Sequence, residues 1–139
     1  MALNPTLLFV FLTLFNAVQS GERFNGRLSP VPIDITMHAT VTGTGTSSAV
    51  LTGTRLTISG TFDGLAGPAT VARLHQGIAI GVRGPALSEL TISKSARGTL
   101  SGTINLTAEQ VENLRKGKLY IQIHSEKAPD GNLWGWLLR

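Results

Sequence analysis

Two histidines stand at the ends of short alternating runs and are the first candidates for chemistry. His75 closes Ala72-Arg73-Leu74-His75, and His124 closes Leu119-Tyr120-Ile121-Gln122-Ile123-His124. Two imidazoles on neighbouring strands, with a carboxylate such as Glu126 or Asp130 beside them, would suit copper or zinc, and copper would bring redox chemistry with it. Two histidines are an incomplete ligand set, however, and the guanidinium of Arg73 repels a cation. The competing reading makes both rings structural, each hydrogen-bonded to loop backbone. His38 points away from the apolar side of its run, which places it in solvent.

Trp134 and Trp136 offer a second kind of chemistry, that of contact. They alternate with Leu133, Gly135 and Leu137, so both indoles lie on one strand face, roughly 7 Å apart. If the leucines face a core, the indoles form an exposed pair suited to a carbohydrate, a peptide or a protein. If the indoles are the buried side, the leucines and Gly135 form the lighter outer face.

Covalent chemistry finds little support. There is no cysteine, so thiolate nucleophiles, Cys-ligated zinc and disulfides are all excluded. Serines are plentiful, but no Gly-x-Ser-x-Gly elbow occurs. No carboxylate pair has defensible acid–base spacing. Gly43 and Gly45 fit a strand turn rather than a phosphate loop. Asn105-Leu106-Thr107 is a glycosylation sequon, meaningful in a eukaryotic secretory host. The residues point to a non-catalytic chain without a cofactor.

Strands must position these groups. Leu119, Ile121 and Ile123 alternate with Tyr120, Gln122 and His124, and Pro129-Asp130-Gly131-Asn132 supplies a turn into the Trp segment. The result is a β-hairpin over Lys118 to Leu138. Tight closure sets the two polar-aromatic faces side by side, with Tyr120 near the Trp pair and His124 at its edge. Upstream, Ile33, Ile35, Met37, Ala39 and Val41 alternate with Asp34, Thr36, His38, Thr40 and Thr42, which predicts a half-buried strand. The pattern next predicts a loop over Gly43–Ser48 and a returning strand from Ala49 to Leu51. Strands follow over Arg55–Phe62, Thr70–His75, Leu87–Ile92 and Gly98–Leu106. Gly64–Pro68 breaks the series, and Gln76–Pro85, with Gly77, Gly81 and Gly84, reads as a surface loop. One helix interrupts the pattern at Thr107–Lys116, opened by a Thr107/Gln110 capping box and closed by Gly117. About seven short strands with regular turns predict an antiparallel sandwich or small barrel with one short helix.

Leu7 to Phe15 is a nine-residue apolar run followed by small residues at Val18 and Ser20. This is the pattern of a signal peptide, Met1 to Ser20, cut before Gly21. The run is too short to span a bilayer, which needs roughly 20 residues, so no stable membrane span follows its removal. Residues 21–139 then form a single domain in a secreted or periplasmic protein. The net charge of +4 is scattered apart from Arg115, Lys116 and Lys118, a cluster that complements a helix C-terminus, and it does not make a nucleic-acid stripe.

Several blocks in order carry a family resemblance. They are Gly64-Leu65, Ala72-Arg73-Leu74-His75 running into Gly77, Gly84-Pro85, the helix start Leu106-Thr107, Gly117 through His124, and Pro129-Asp130-Gly131-Asn132-Leu133-Trp134-Gly135. Over residues 33–138 the chain resembles the CHRD domain, first named from chordin and common in exported bacterial proteins. The resemblance implies an all-β, Greek-key-like sandwich and brings the two histidine blocks close together; it implies no single activity. Where the family usually reads Ala-His-Ile-His, Arg73 replaces the first histidine and His75 remains. Where it usually reads Gly-Glu-Ile-Arg-Gly, Asn132 and Trp134 replace the glutamate and the arginine. A site built on those groups in relatives lacks them here. The expectation is a binding module whose contacts come from Tyr120, Gln122, His124, Trp134, Trp136, His75 and Arg73. Its partner would be a protein, a carbohydrate or a second copy of the chain. The metal alternative rests on His75 and His124.

Overall fold

The computed structural model describes residues 21–139; the signal-peptide reading of residues 1–20 lies outside them. Eight antiparallel strands and one helix follow in the order β1 (Glu22–Pro30), β2 (Thr44–Thr52), β3 (Arg55–Asp63), β4 (Ala69–Gln76), β5 (Ala86–Ile92), β6 (Gly98–Asn105), α1 (Ala108–Arg115), β7 (Leu119–Ser125) and β8 (Leu133–Trp136). The strands close into a barrel in the spatial order β1-β2-β3-β6-β5-β4-β7-β8. β4, β5 and β6 are hairpin neighbours and β3 lies beside β6, a Greek-key arrangement. β1 pairs with β2 along most of its length and with β8 at Ser29 and Pro30, while β5 pairs with β4 and then β6. These two strands turn the corners between two sheets, so the barrel is flattened like a sandwich. Closure gives every described strand a partner on each side over part of its length.

Alternation supplies the core. Phe24 and Leu28 from β1, Leu56, Ile58 and Phe62 from β3, Leu119, Ile121 and Ile123 from β7, and Leu133 and Leu137 meet in one buried cluster. α1 closes one end of the barrel. Thr107 caps it as the sequence predicts: its hydroxyl accepts from the Gln110 amide, and the Gln110 side chain accepts from the Thr107 amide. Val111 and Leu114 then point into the core. Among the described residues no helix is long and apolar enough to cross a membrane.

Three expectations need correction. Residues 33–41 are not a strand. Asp34 accepts from the Thr36 amide and hydroxyl, Met37 donates to the Asp34 carbonyl, and Thr40 and Val41 both donate to the Met37 carbonyl, which winds the segment into turns. The alternating side chains do not share one buried face: Ile35 is 86% exposed, whereas Val41 is buried. Residues 43–48 are not a loop, because β2 begins at Thr44. β1 was not foreseen at all. The inward positions of β1 and β2 include Gly26, Gly45 and Ser47, too small to show as a hydrophobic face. Their size answers to the close approach of strands, since a Cβ on Gly26 would lie 2.8 Å from the Trp136 carbonyl oxygen.

Asn132 ties the looped segment to the hairpin. Fully buried, it accepts from the Ser125 hydroxyl at 2.7 Å and donates to the Thr42 carbonyl at 2.7 Å. Its own carbonyl accepts from the Val31 amide. Asn132→Leu leaves the Thr42 carbonyl without its partner and should cost about 1–3 kcal/mol in urea-unfolding stability. An unchanged midpoint would show that the contact contributes nothing net.

Candidate functional site

The outer face of β4, β7 and β8 carries the residues that the sequence singles out. The register sets His75, Tyr120 and Trp136 in one row and Arg73, Gln122 and Trp134 in the next. The strand periodicity that sends Leu119, Ile121 and Ile123 inward sends Tyr120 and Gln122 outward. The register that pairs Ile123 with Leu133 across the connection of residues 124–132, longer than the tight closure expected, matches them with the two indoles. The expected pairing of faces is therefore what the fold contains.

The four rings make a connected cluster. His75 stacks on Tyr120, with centroids 4.9 Å apart and planes within 17°. Tyr120 lies 4.4 Å from Trp136 and meets Trp134 edge-on at 5.9 Å. The two indoles meet edge to face at 5.5 Å. Both offset and edge-on geometries suit ring quadrupoles. The alternatives of exposed and core indoles resolve into an intermediate arrangement. Trp134 and Trp136 are half-buried, while Tyr120 and Gln122 beneath them are 1% and 4% exposed.

Two loops account for this. Trp134 packs on a small cluster of Val31, Met37, Val41 and Ala128. On the other side, residues 77–85 fold back over the face. The Tyr120 hydroxyl accepts from the Gly84 amide at 3.0 Å and donates to the Gly84 carbonyl at 3.1 Å. Gly77 sits so close to Trp136 that a Cβ there would lie 2.7 Å from the indole ring. Arg83 lies over Trp134, its guanidinium carbon 5.7 Å from the ring centroid, a cation–π contact. Sequence reasoning missed this cover; the signal was the glycine at each end of the loop.

The histidines do not converge. His75 lies opposite Tyr120 and His124 opposite Val71, four residues further along β7, on the order of 13 Å apart along the strand. Arg73 and Gln122 stand between them. Each ring is engaged at Nδ1, His75 with the Gly84 carbonyl at 3.0 Å and His124 with the Pro129 carbonyl at 2.8 Å. A carbonyl only accepts, so both Nδ1 atoms donate. His124 Nε2 then accepts from the Gln122 amide at 3.1 Å. Among the described residues no three His, Asp or Glu side chains are grouped to hold a metal ion. The two rings therefore do not converge on one centre, and each hydrogen-bonds loop backbone. Three buried polar atoms on the face remain without a protein partner: His75 Nε2, Gln122 Oε1 and the Trp136 indole nitrogen.

Burial holds the His75 pKa below its ordinary value, and the guanidinium charges of Arg73 and Arg83 add to the effect, against the Gly84 hydrogen bond, which raises it. A depressed folded-state pKa means that the unfolded chain binds the proton more readily. Stability should therefore fall as pH drops below the unfolded histidine value of about 6.5. Between pH 7.5 and 5 the thermal midpoint of the parent should fall further than that of His75→Gln. Parallel curves would remove His75 from the acid sensitivity.

A shallow groove on the opposite sheet is lined by the hydroxyls of Thr44, Thr46, Ser47 and Thr61 together with Asn25, Arg27, Phe62 and Asp63. It offers hydrogen bonding and charge beside a single ring, Phe62, rather than a cluster of rings. The aromatic face is the more specific feature.

An eight-stranded antiparallel barrel with one aromatic outer face is thus the class defined by fold and site. The CHRD domain family model matches residues 29–137, and the chain belongs to that family. No curated protein and no solved structure matches the chain.

Proposed function

We propose that this CHRD domain is an exported, non-catalytic binding module whose contact surface is the Trp134/Trp136 face. The observation that carries the reading is the pair of half-exposed indoles held in fixed orientation on a buried Tyr120. A rigid aromatic platform loses little conformational entropy on binding and gains large contact area. His124, Arg73 and Arg83 provide hydrogen-bonding and charged groups around it, and the buried Gln122 supports them from beneath. Such a surface fits a sugar ring or an apolar cluster on a protein, the arrangement found where a site combines apolar area with a few polar groups. Export rests on the Leu7–Phe15 run and its small-residue cleavage pattern.

Affinity electrophoresis through gels containing soluble polysaccharides tests the carbohydrate arm, and light scattering tests self-association. In either assay Trp134→Ala should abolish the interaction while the barrel stays folded, since that side chain lies outside the main core. The reading fails if no interaction in either assay depends on Trp134.

A further inference from the structure

The loop over the aromatic face has a second, outward side that the face does not use. Ile78, Ile80 and Val82 project from it and are 76%, 57% and 46% exposed. They stand at alternate positions of Gly77-Ile78-Ala79-Ile80-Gly81-Val82, around a turn closed by the Val82 amide on the Ala79 carbonyl at 3.1 Å, with Gly81 at a φ of +81°. The base is anchored as well: the Gly77 amide donates to the Lys118 carbonyl at 2.8 Å, and Gln76 donates to Pro85. This is a fixed protrusion with an apolar tip, where a soluble surface would place polar turn residues.

Its surroundings are basic. Ile80 and Leu138, itself 42% exposed, both lie against Gly117, so Lys116 and Lys118 flank the tip directly. Ile80, Arg115, Lys116, Leu138 and Arg139 share one shallow depression at the helix end of the barrel. Arg115 and Arg139 are held by Glu22, and Arg115 also by Glu112. Among the described residues Lys116, Lys118 and Arg83 form no ion pair.

We infer that this end of the barrel docks on an anionic lipid bilayer, with Ile78, Ile80 and Val82 entering the interface and Lys116 and Lys118 meeting the headgroups. A narrow convex tip needs a fluid partner that closes around it, whereas a protein partner would need a matching pocket. Apolar side chains ringed by lysine and arginine are the composition that favours an interface in which hydrocarbon lies just beneath negative charge. The turn's own hydrogen bond pairs part of the tip's backbone before it leaves water. Docking is shallow and reversible, since three aliphatic side chains are far short of a span.

Sedimentation with large vesicles tests this on protein beginning at Gly21, which contains the whole barrel. Vesicles of phosphatidylcholine with about one third phosphatidylglycerol should bind the protein, and vesicles of phosphatidylcholine alone should bind at least about tenfold less. Replacing both Lys116 and Lys118 by Ser should weaken anionic binding about tenfold to thirtyfold, as should added salt in proportion to screening. Ile80→Ser with Ile78→Ser should lose binding with an unchanged melting curve, because both side chains lie outside the core. The inference is overturned if anionic vesicles bind no better than neutral ones, or if the isoleucine variant binds as the parent does. It is also overturned if the tip instead makes a dimer in light scattering that the isoleucine variant dissolves.

Discussion

Leu114→Ala should lower the unfolding free energy by about 2–5 kcal/mol, the range for a buried leucine whose site cannot collapse. Leu114 is fully buried and belongs to the main cluster together with Val111 and Leu106. Its helix spans only Ala108–Arg115, too short to persist on its capping box alone, so the side chain holds helix and barrel together. The truncation removes contacts on both sides of that junction and opens a void at the barrel end. Urea unfolding followed by tryptophan fluorescence gives the magnitude. Hydrogen exchange over 111–117 should report local loosening before the strands are affected. A loss below about 1 kcal/mol would mean that the helix lies on the barrel without sealing it. Thr107→Ala, which removes only the cap, should cost about 1 kcal/mol in the same assay.

How much of this was legible depended on the size of the inward side chains. β3, β4 and β7 alternate apolar residues with polar ones, β8 alternates Leu133 and Gly135 with the two indoles, and each appears where the period places it. The helix announced both ends, Thr107 with Gln110 at one and Gly117, at a φ of +75°, at the other. β1 and the first half of β2 were hidden because Gly26, Gly45 and Ser47 occupy inward positions that strand packing keeps small, whereas the returning strand read from Ala49 to Leu51 lies within β2. Residues 33–41 showed the opposite failure, a strand period without a sheet to join. There Asp34 and Thr36 bond locally, an alternative that such residues offer the backbone. The barrel closes through β1 and β8 without that segment.

The site was legible in its sheet and hidden in its cover. Matching Tyr120 and Gln122 to the two indoles required only the pleat and the pairing of the two strands, although residues 124–132 join them by a longer connection than the tight turn expected. The place of residues 77–85 depends on contacts across long sequence separations, Gly84 with Tyr120 and Arg83 with Trp134. No local pattern encodes these. The resemblance suggested nearby histidines, and the four-residue offset along β7 separates them.

Tyr120 is where sheet, rings and loop meet, and its replacement should have the second large effect. The side chain is 1% exposed, stacks on His75, touches both indoles and holds Gly84 through two hydrogen bonds. Tyr120→Ala should cost about 3–5 kcal/mol, as for other buried aromatic truncations. The indoles would lose their support, so tryptophan emission should shift to the red and acrylamide should quench it more readily. Tyr120→Phe separates the hydroxyl from the ring. The phenyl group keeps the stacking and the packing, while the Gly84 amide and carbonyl each lose a partner, at about 1–3 kcal/mol in total. The His75 bond to the Gly84 carbonyl remains, so the loop should loosen without detaching. Its signature is faster exchange of the Gly84 amide while the barrel strands keep their protection. If Tyr120→Phe exchanges that amide no faster than the parent, the hydroxyl does not hold the loop, and the cover over Trp136 rests on the His75 bond to Gly84, the Gly77 and Gln76 backbone bonds and packing against Gly77.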